Sequence, residues 1–348
     1  MKYYLAPLEG ITTYIYRNAY HSIFYPMDKY FSPFLVPRMK KSFNSREIND
    51  ILPEHNQGLT VVPQLLTNCA EDFIKGVERL QEYDYQEFNL NLGCPSATVV
   101  SRRKGAGFLG YPLELERFLD QIFSKLSLKI SIKTRIGMED PQEFEQLLKI
   151  YNQFPLEELI IHPRLRQDFY KNKPNLLVFQ QALTNSVNPI CYNGDVFTCG
   201  DFEILNRQVS GILTVMLGRG ILMQPWLCEE LVDLKQETPH TVSSRRKELS
   251  VSPDLDQDKK QRLRQFHDLL YIGYQEIMSG DKNVLYKMKE LWTYMIQSFL
   301  EPESYAKKIR KAETLRSYEI AVNSLFRERD ITTIPSSMFH AAEYTKEK

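Results

Sequence analysis

Asn89-Leu-Asn-Leu-Gly-Cys-Pro95 is the stretch on which the reading of this chain turns. Phe88, Leu90 and Leu92 alternate with other residues, which predicts a short buried strand. Gly93-Cys94-Pro95 then ends the strand in a turn with a thiol at its centre. A loop just past a strand end is where α/β enzymes carry reactive groups. The bland alternative for Cys94 is a small buried hydrophobe. The neighbouring strands decide between the two.

With 87–93 there are eight candidate strands. The others are 3–8, 29–35, 59–66, 129–135, 157–162, 188–193 and 211–217. Helical patterns lie between them, among them 70–82, 113–125 and 141–153, the last with Pro141 at its expected first position. Eight βα units in a row predict an α/β fold of the (β/α)8 TIM-barrel type. An open doubly wound sheet is the alternative, and it loses weight because no GxGxxG follows the first strand.

Polar residues gather at one end of these strands. Pro7, Gln64, Cys94, Lys133, Arg135, His162, Arg164, Asn193, Asp195 and Arg219 all fall at or just after a C-terminal strand end. In a barrel those ends open on one face, where active sites sit. Asn193-Gly194-Asp195 and Gly218-Arg219-Gly220 end the last two strands. Loops after strands seven and eight commonly bind a phosphate through backbone N–H groups, so the pair points to a phosphorylated cofactor.

Of the 348 residues 43% are hydrophobic and 25% charged, and 44 basic side chains balance 44 acidic ones. This is the composition of a soluble globular protein with no global field towards nucleic acid or membrane. The five cysteines show neither a CxxC pair nor metal-ligand spacing. A reducing cytoplasm, no metal, no membrane association and a monomer are the expectations. The N-terminus carries no signal-peptide pattern.

The barrel is expected over 1–235, a polar linker over 236–258, a helical-bundle domain over 259–335 and a tail over 336–348. Leu263, Phe266, Leu270, Tyr274 and Ile277 step by three or four, as do Leu285, Met288, Trp292, Met295 and Phe299. Two further helices are expected over 303–316 and 318–329. From Lys259 to Arg316 there are twelve Lys or Arg against seven Asp or Glu, densest at Lys307-Lys308-Ile-Arg310-Lys311. That surplus suits a platform for a phosphate backbone; a solvated helix face is the alternative.

Together these residues resemble the dihydrouridine synthases, FMN-dependent enzymes that reduce uridine in structured RNA, usually tRNA. Leu5-Ala-Pro-Leu-Glu-Gly10 resembles that family's first strand, and Asn91-Leu-Gly-Cys94-Pro95 its catalytic loop. Lys133-Thr-Arg-Ile-Gly137, Ile161-His162-Pro-Arg164, Asn193-Gly-Asp195 and Met216-Leu-Gly-Arg219-Gly220 follow in the family's order. Lys287-Met-Lys-Glu-Leu-Trp292 resembles a segment of its helical domain. The resemblance spans residues 3 to 329. Leu8 stands where methionine is usual, the run 101–105 is more basic than expected, and the linker is longer.

The resemblance implies reduction of the uracil C5–C6 bond, with a hydride to C6 from reduced FMN and a proton to C5. A thiol near its ordinary pKa stays protonated at neutral pH, so Cys94 is cast as the general acid. Lys133 and His162 are expected at the flavin's pyrimidine edge, where a cation stabilises the anionic reduced ring. Gln64 can donate to and accept from that edge. Pro7, Leu8 and Glu9 are expected to border the flavin. Asn193, Gly194, Asp195, Gly218 and Arg219 are expected around its phosphate, with Asp195 capping a helix or bonding backbone amides. NADPH is the expected reductant.

Asn91 is expected to orient the base. Arg164 and Arg166 are candidates for RNA phosphate or uracil oxygen. The candidate phosphate contacts are Arg38, Lys40, Lys41, Arg102, Arg103, Lys104, Lys307, Lys308 and Lys311. The substrate is expected to be tRNA, with rRNA as an alternative. Two rivals remain, an FMN-barrel reductase of a free pyrimidine or enone and an RNA-binding or folding factor.

Overall fold

The structure is a computed structural model that describes residues 1–38, 43–236 and 253–332. Its centre is one parallel sheet. The strands are β1 (Lys2–Leu5), β2 (Lys29–Phe31), β3 (Val61–Val62), β4 (Gln64–Leu65), β5 (Glu87–Leu92), β6 (Lys129–Arg135), β7 (Leu159–His162), β8 (Ile190–Tyr192) and β9 (Thr214–Leu217). Their order is β3-β2-β1-β9-β8-β7-β6-β5-β4. Only Pro63 separates β3 from β4, so the two ends of this order are one stave and the sheet closes on itself. Proline has no N–H to give, and the ladder is interrupted there. The Pro63 carbonyl still accepts from the Asn89 N–H at 2.9 Å. The eight predicted strands are thus eight staves of a (β/α)8 barrel, the third broken in two.

Period-two alternation sorts the strand residues into two layers. Phe88, Leu90 and Leu92 of β5 face outward into the core between sheet and helices. The intervening Asn89 and Asn91 face inward and are buried with Gln64 and Ser131. The other side of the barrel interior is apolar, built on Tyr4, Phe31, Val62, Ile160, Cys191 and Met216. The interior is therefore half polar and half apolar.

The helices Ala70–Gln81, Pro112–Lys125 and Glu143–Tyr151 lie where the patterns placed them. Pro112 occupies the first turn of its helix. Pro141 does not: the third helix begins at Glu143 with Gln142 as N-cap. Glu143 instead folds back, its carboxylate accepting from the N–H groups of Met138, Glu139 and Asp140.

The helical region consists of Pro253–Ile277, Asp281–Met295, Glu303–Lys311 and Leu315–Glu328. The first of these begins inside the stretch read as linker, and Leu227–Gln236 is helical before it. Residues 237–252 and the tail from 333 lie outside the described residues. The break between the last two helices falls earlier than the pattern suggested. Thr314 accepts from the Ser317 N–H at 3.1 Å, which starts the final helix at Leu315. Four of the five stripe residues of Pro253–Ile277 are buried, while Ile277 is exposed. This helix packs on Tyr14–Ile23 of the barrel. Phe266 meets Tyr16 and Phe24 edge-on at 5.3 and 5.4 Å, and Tyr274 Oη lies 2.9 Å from Thr13 Oγ1.

Candidate active site

A cleft of about 620 Å³ opens at the C-terminal ends of the strands. The barrel lines it with Pro7, Leu8 and Glu9 after β1, Gln64 of β4, Asn91 and Cys94 from β5 and its loop, Lys133 and Arg135 of β6, and His162 of β7. The helical region closes another wall with Lys289, Glu290, Thr293, Tyr294 and Arg310. Residues spread over 155 positions of sequence, Pro7 to His162, thus meet because parallel staves deliver every C-terminal end to one face.

The Cys94 loop is held from three directions. Asn91 Oδ1 accepts from the N–H groups of Gly93 at 3.1 Å and Cys94 at 3.0 Å. The Cys94 carbonyl accepts from the Ala106 N–H at 3.0 Å. Gly105 makes that closure possible: its φ is +55° and a Cβ there would sit 2.8 Å from the Cys94 carbonyl oxygen. Arg135 is the third fastening. Its guanidinium donates to the carbonyls of Gly93 at 2.9 Å, Leu165 at 2.8 Å and Phe169 at 2.8 Å, tying the β5 loop to the β7 loop. Burial pushes the Cys94 thiol up, against the opposing pull of the Ser96 N–H, Arg135 and Lys133. The group is a thiol, not a thiolate, at neutral pH.

Lys133 stands on the cleft side of β6. Burial, and after it the neighbouring Arg135 charge, lower its pKa to about 8. Among the described residues no ion pair or hydrogen bond to its amine is present. The amine is thus a desolvated donor that lacks an acceptor among the described residues. His162 is driven well below the ordinary imidazole value by burial and by Arg135, Lys133, Arg164 and Arg219, so it is neutral. Its Nε2 lies 2.9 Å from Arg164 Nη1. A guanidinium can only donate, so Nε2 is the acceptor and the ring hydrogen is on Nδ1.

Arg164 itself is not where the sequence suggested. It is buried, and it donates to both oxygens of Asp195, to the Asn172 carbonyl and to His162. Four of its five N–H groups donate inside the protein, and it does not line the cleft. Arg166 is half-buried with its guanidinium 5.8 Å from the Phe169 ring. Among the described residues Asp195 shows neither a helix cap nor a bond to a backbone amide; it also pairs with Arg219 at 2.6 Å, so one carboxylate links two arginines. Arg219 stacks between Tyr170 at 4.6 Å and Phe197 at 5.2 Å.

The loops after β8 and β9 pack against each other beside the cleft. Asn193 Nδ2 donates to the Met216 carbonyl at 2.9 Å. A Cβ on Gly194 would lie 2.1 Å from Tyr192 Oη, so only glycine fits there. Gly218 precedes the short helix Arg219–Met223.

The remaining basic candidates scatter. Arg38, Arg102 and Arg103 are exposed, and Lys104 is half-buried. Arg103 lies over the Tyr111 ring at 4.4 Å and near Glu114 at 3.8 Å. Lys40 and Lys41 lie outside the described residues. Lys307, Lys308 and Lys311 are exposed on Glu303–Lys311. The member of that cluster that reaches the cleft is Arg310. Its sequence neighbours hid it, because a basic run does not say which turn of a helix faces a partner element. Lys289 and Glu290 also line the cleft, from within the stretch 287–292. Tyr170, also on the cleft, had no signal in the sequence.

A family model described as dihydrouridine synthase (Dus) matches residues 4–328. The "tRNA-dihydrouridine synthase B" of Pasteurella multocida is 23% identical over 225 residues, 64% of this chain and 67% of the relative. The "tRNA-dihydrouridine(16) synthase" of Cupriavidus necator is 26% identical over 246 residues, 68% of this chain and 75% of the relative. The protein of the same name from Neisseria meningitidis is 27% identical over 245 residues, covering 68% and 72%.

Proposed function

The chain belongs to the dihydrouridine synthase family, and from that premise we propose that it reduces uridines of tRNA to 5,6-dihydrouridine with FMN as bound cofactor and NADPH as reductant. The observation that carries the reading is the convergence of a protonated Cys94, a Lys133 amine without an acceptor among the described residues and a neutral His162 on one cleft.

The residues present fit a flavin. Lys133 offers a half-buried cationic donor and the neutral His162 an uncharged donor through Nδ1–H, both suited to the carbonyl and imide edge of the ring. Gln64 adds the amide hydrogen that its protein bonds leave over. Pro7, Leu8 and Glu9 border the same space. Asn193, Gly194, Asp195, Gly218 and Arg219 are assigned to the phosphate end. When bound and reduced, FMN supplies the hydride for C6.

Cys94 supplies the proton for C5: the C5–C6 π pair becomes the new C5–H bond, while the C6–H bond would form with the pair the hydride brings. The raised thiol pKa keeps that proton on sulfur until the base arrives. The thiolate left behind is steadied by the Ser96 N–H, Arg135 and Lys133, and takes a proton back from solvent. Asn91 serves the base indirectly, by holding the loop that carries Cys94. Tyr170 gives the cleft an aromatic face for a base taken out of its stack. Arg310 and Lys289 stand at the rim, where the phosphates flanking that base enter. The helical region, with Lys307, Lys308 and Lys311, forms the wider platform for the RNA backbone.

The test is deletion of the gene followed by mapping of dihydrouridine across tRNA and rRNA, with complementation by wild type and by Cys94→Ala. Loss at a tRNA position, restored by wild type alone, is expected. Loss confined to rRNA would correct the substrate. Retention of every dihydrouridine in a strain without another synthase would overturn the proposal, as would full rescue by Cys94→Ala. Turnover of NADPH with a small enone but not with RNA would favour the small-molecule reductase.

A further inference from the structure

Beneath the cleft a single chain of hydrogen bonds runs down the polar side of the barrel interior. Asn91 Nδ2 donates to Gln64 Oε1 at 2.7 Å, and Gln64 Nε2 donates to Asn89 Oδ1 at 2.7 Å. Asn89 Nδ2 donates to Ser131 Oγ at 3.0 Å, and Ser131 Oγ donates to Glu87 Oε1 at 3.1 Å. The other Glu87 oxygen is 2.6 Å from Lys29 Nζ. Gln64, Asn89, Asn91 and Ser131 are buried, so water does not compete along the chain.

Every bond in this chain has the same sense. A side-chain amide can be turned over, and its sense is fixed only by its neighbours. Here the two ends fix it independently. At the top, two backbone N–H groups of the Cys94 loop require Asn91 to present its oxygen. At the bottom, a carboxylate paired with lysine requires Ser131 to present its hydrogen. Ser131 then has only lone pairs for Asn89, so Asn89 presents its NH2 downward and its oxygen to Gln64. Gln64 must then present its oxygen to Asn91. If any link reversed, a donor would meet a donor, or an acceptor an acceptor, where no water can separate them.

We propose that Asn89, Ser131 and Glu87 are positioning residues, which set the sense of this amide chain from the floor of the barrel and so hold the Asn91 oxygen under the Cys94 loop. The inference rests on the reading of Cys94 as the proton donor. None of the three lines the cleft, so they act only through Gln64 and Asn91. With Ser131 reduced to alanine, Asn89 loses its acceptor and the chain can populate the reversed sense. Asn91 then turns its NH2 towards the two loop N–H groups and releases them. The loop keeps its Arg135 and Ala106 fastenings, so the protein stays folded.

The experiment compares Ser131→Ala, Ser131→Thr and wild type in two assays. The first is alkylation of Cys94 by iodoacetamide across pH, read peptide by peptide with Cys69 as internal reference. The second is steady-state reduction of unmodified tRNA by the FMN-loaded protein. Ser131→Ala should raise Cys94 alkylation about fivefold with Cys69 unchanged, the effect of one buried hydrogen bond. It should lower kcat by a similar factor at unchanged KM. Ser131→Thr keeps the hydroxyl and should restore both. Unchanged Cys94 alkylation in Ser131→Ala overturns the proposal. Equal defects in the alanine and threonine variants overturn it too, since they would report packing and not the hydroxyl. A changed alkylation rate alongside a fully active Cys94→Ala protein supports the positioning chain while sinking the proton-donor reading.

Discussion

Arg135→Met tests how the catalytic loop is built. The guanidinium is 1% exposed and donates to three backbone carbonyls, those of Gly93, Leu165 and Phe169. Each hydrogen bond from a charged group contributes a net stabilisation of about 1.5 kcal/mol at the low end, so three sum to about 4–5 kcal/mol. Against this, the charge is buried, and burial holds the guanidinium below its usual pKa. Methionine removes that desolvation cost and fills much of the volume. The three carbonyls are left on loops that can admit water, which further softens the loss. A net destabilisation of about 3 kcal/mol remains. The assay is urea unfolding followed by the fluorescence of Trp226 and Trp292, both buried. Cys94 alkylation is measured in parallel under native conditions and should rise, because the Gly93 carbonyl is no longer held. A variant within about 0.5 kcal/mol of wild type, with an unchanged Cys94 rate, would show that the three carbonyl bonds do not fasten the two loops.

Two titrations follow from the buried groups. In the ligand-free protein Lys133 should be half-deprotonated near pH 8, so its charge is lost as pH rises through that value. Competitive acylation read by mass spectrometry should give that midpoint; one above about 10, the ordinary lysine range, would refute it. Glu158 on the barrel floor is raised from 4.5 to about 7 by burial. Its folded pKa is above its unfolded one, so its contribution is fully present below about pH 4.5 and is lost as pH rises through 7. Glu158→Gln should therefore stabilise the protein by about 3 kcal/mol at pH 8 and by little at pH 4.5. Equal urea midpoints for the two proteins at pH 8 would sink this account.

Much of the site was legible because a parallel barrel converts sequence position into space. Any polar residue at a C-terminal strand end reaches the same face, so Gln64, Cys94, Lys133 and His162 could be grouped without coordinates. The strand signal of β5 was legible too, in its outward half. Phe88, Leu90 and Leu92 announced a strand, while Asn89 and Asn91 carried its interior role. The helical boundaries failed where local side-chain bonds to the backbone decided them, as at Glu143 and Thr314.

The sequence by itself determined the barrel, the helical region after it and the thiol loop. Period-two and period-three-to-four patterns are local properties, and the strand ends inherit their meaning from topology. Tertiary structure alone decided what each polar group is joined to. Arg164 has the sequence of a substrate-facing arginine and became the buried partner of Asp195 and His162. Arg310 looked like one charge in an outward cluster and became part of the cleft wall. Asn91 was read as facing a base, and its oxygen is taken by the loop that bears Cys94. Hydrogen-bond partners are chosen among groups brought together from distant positions under burial, and no local pattern encodes that choice.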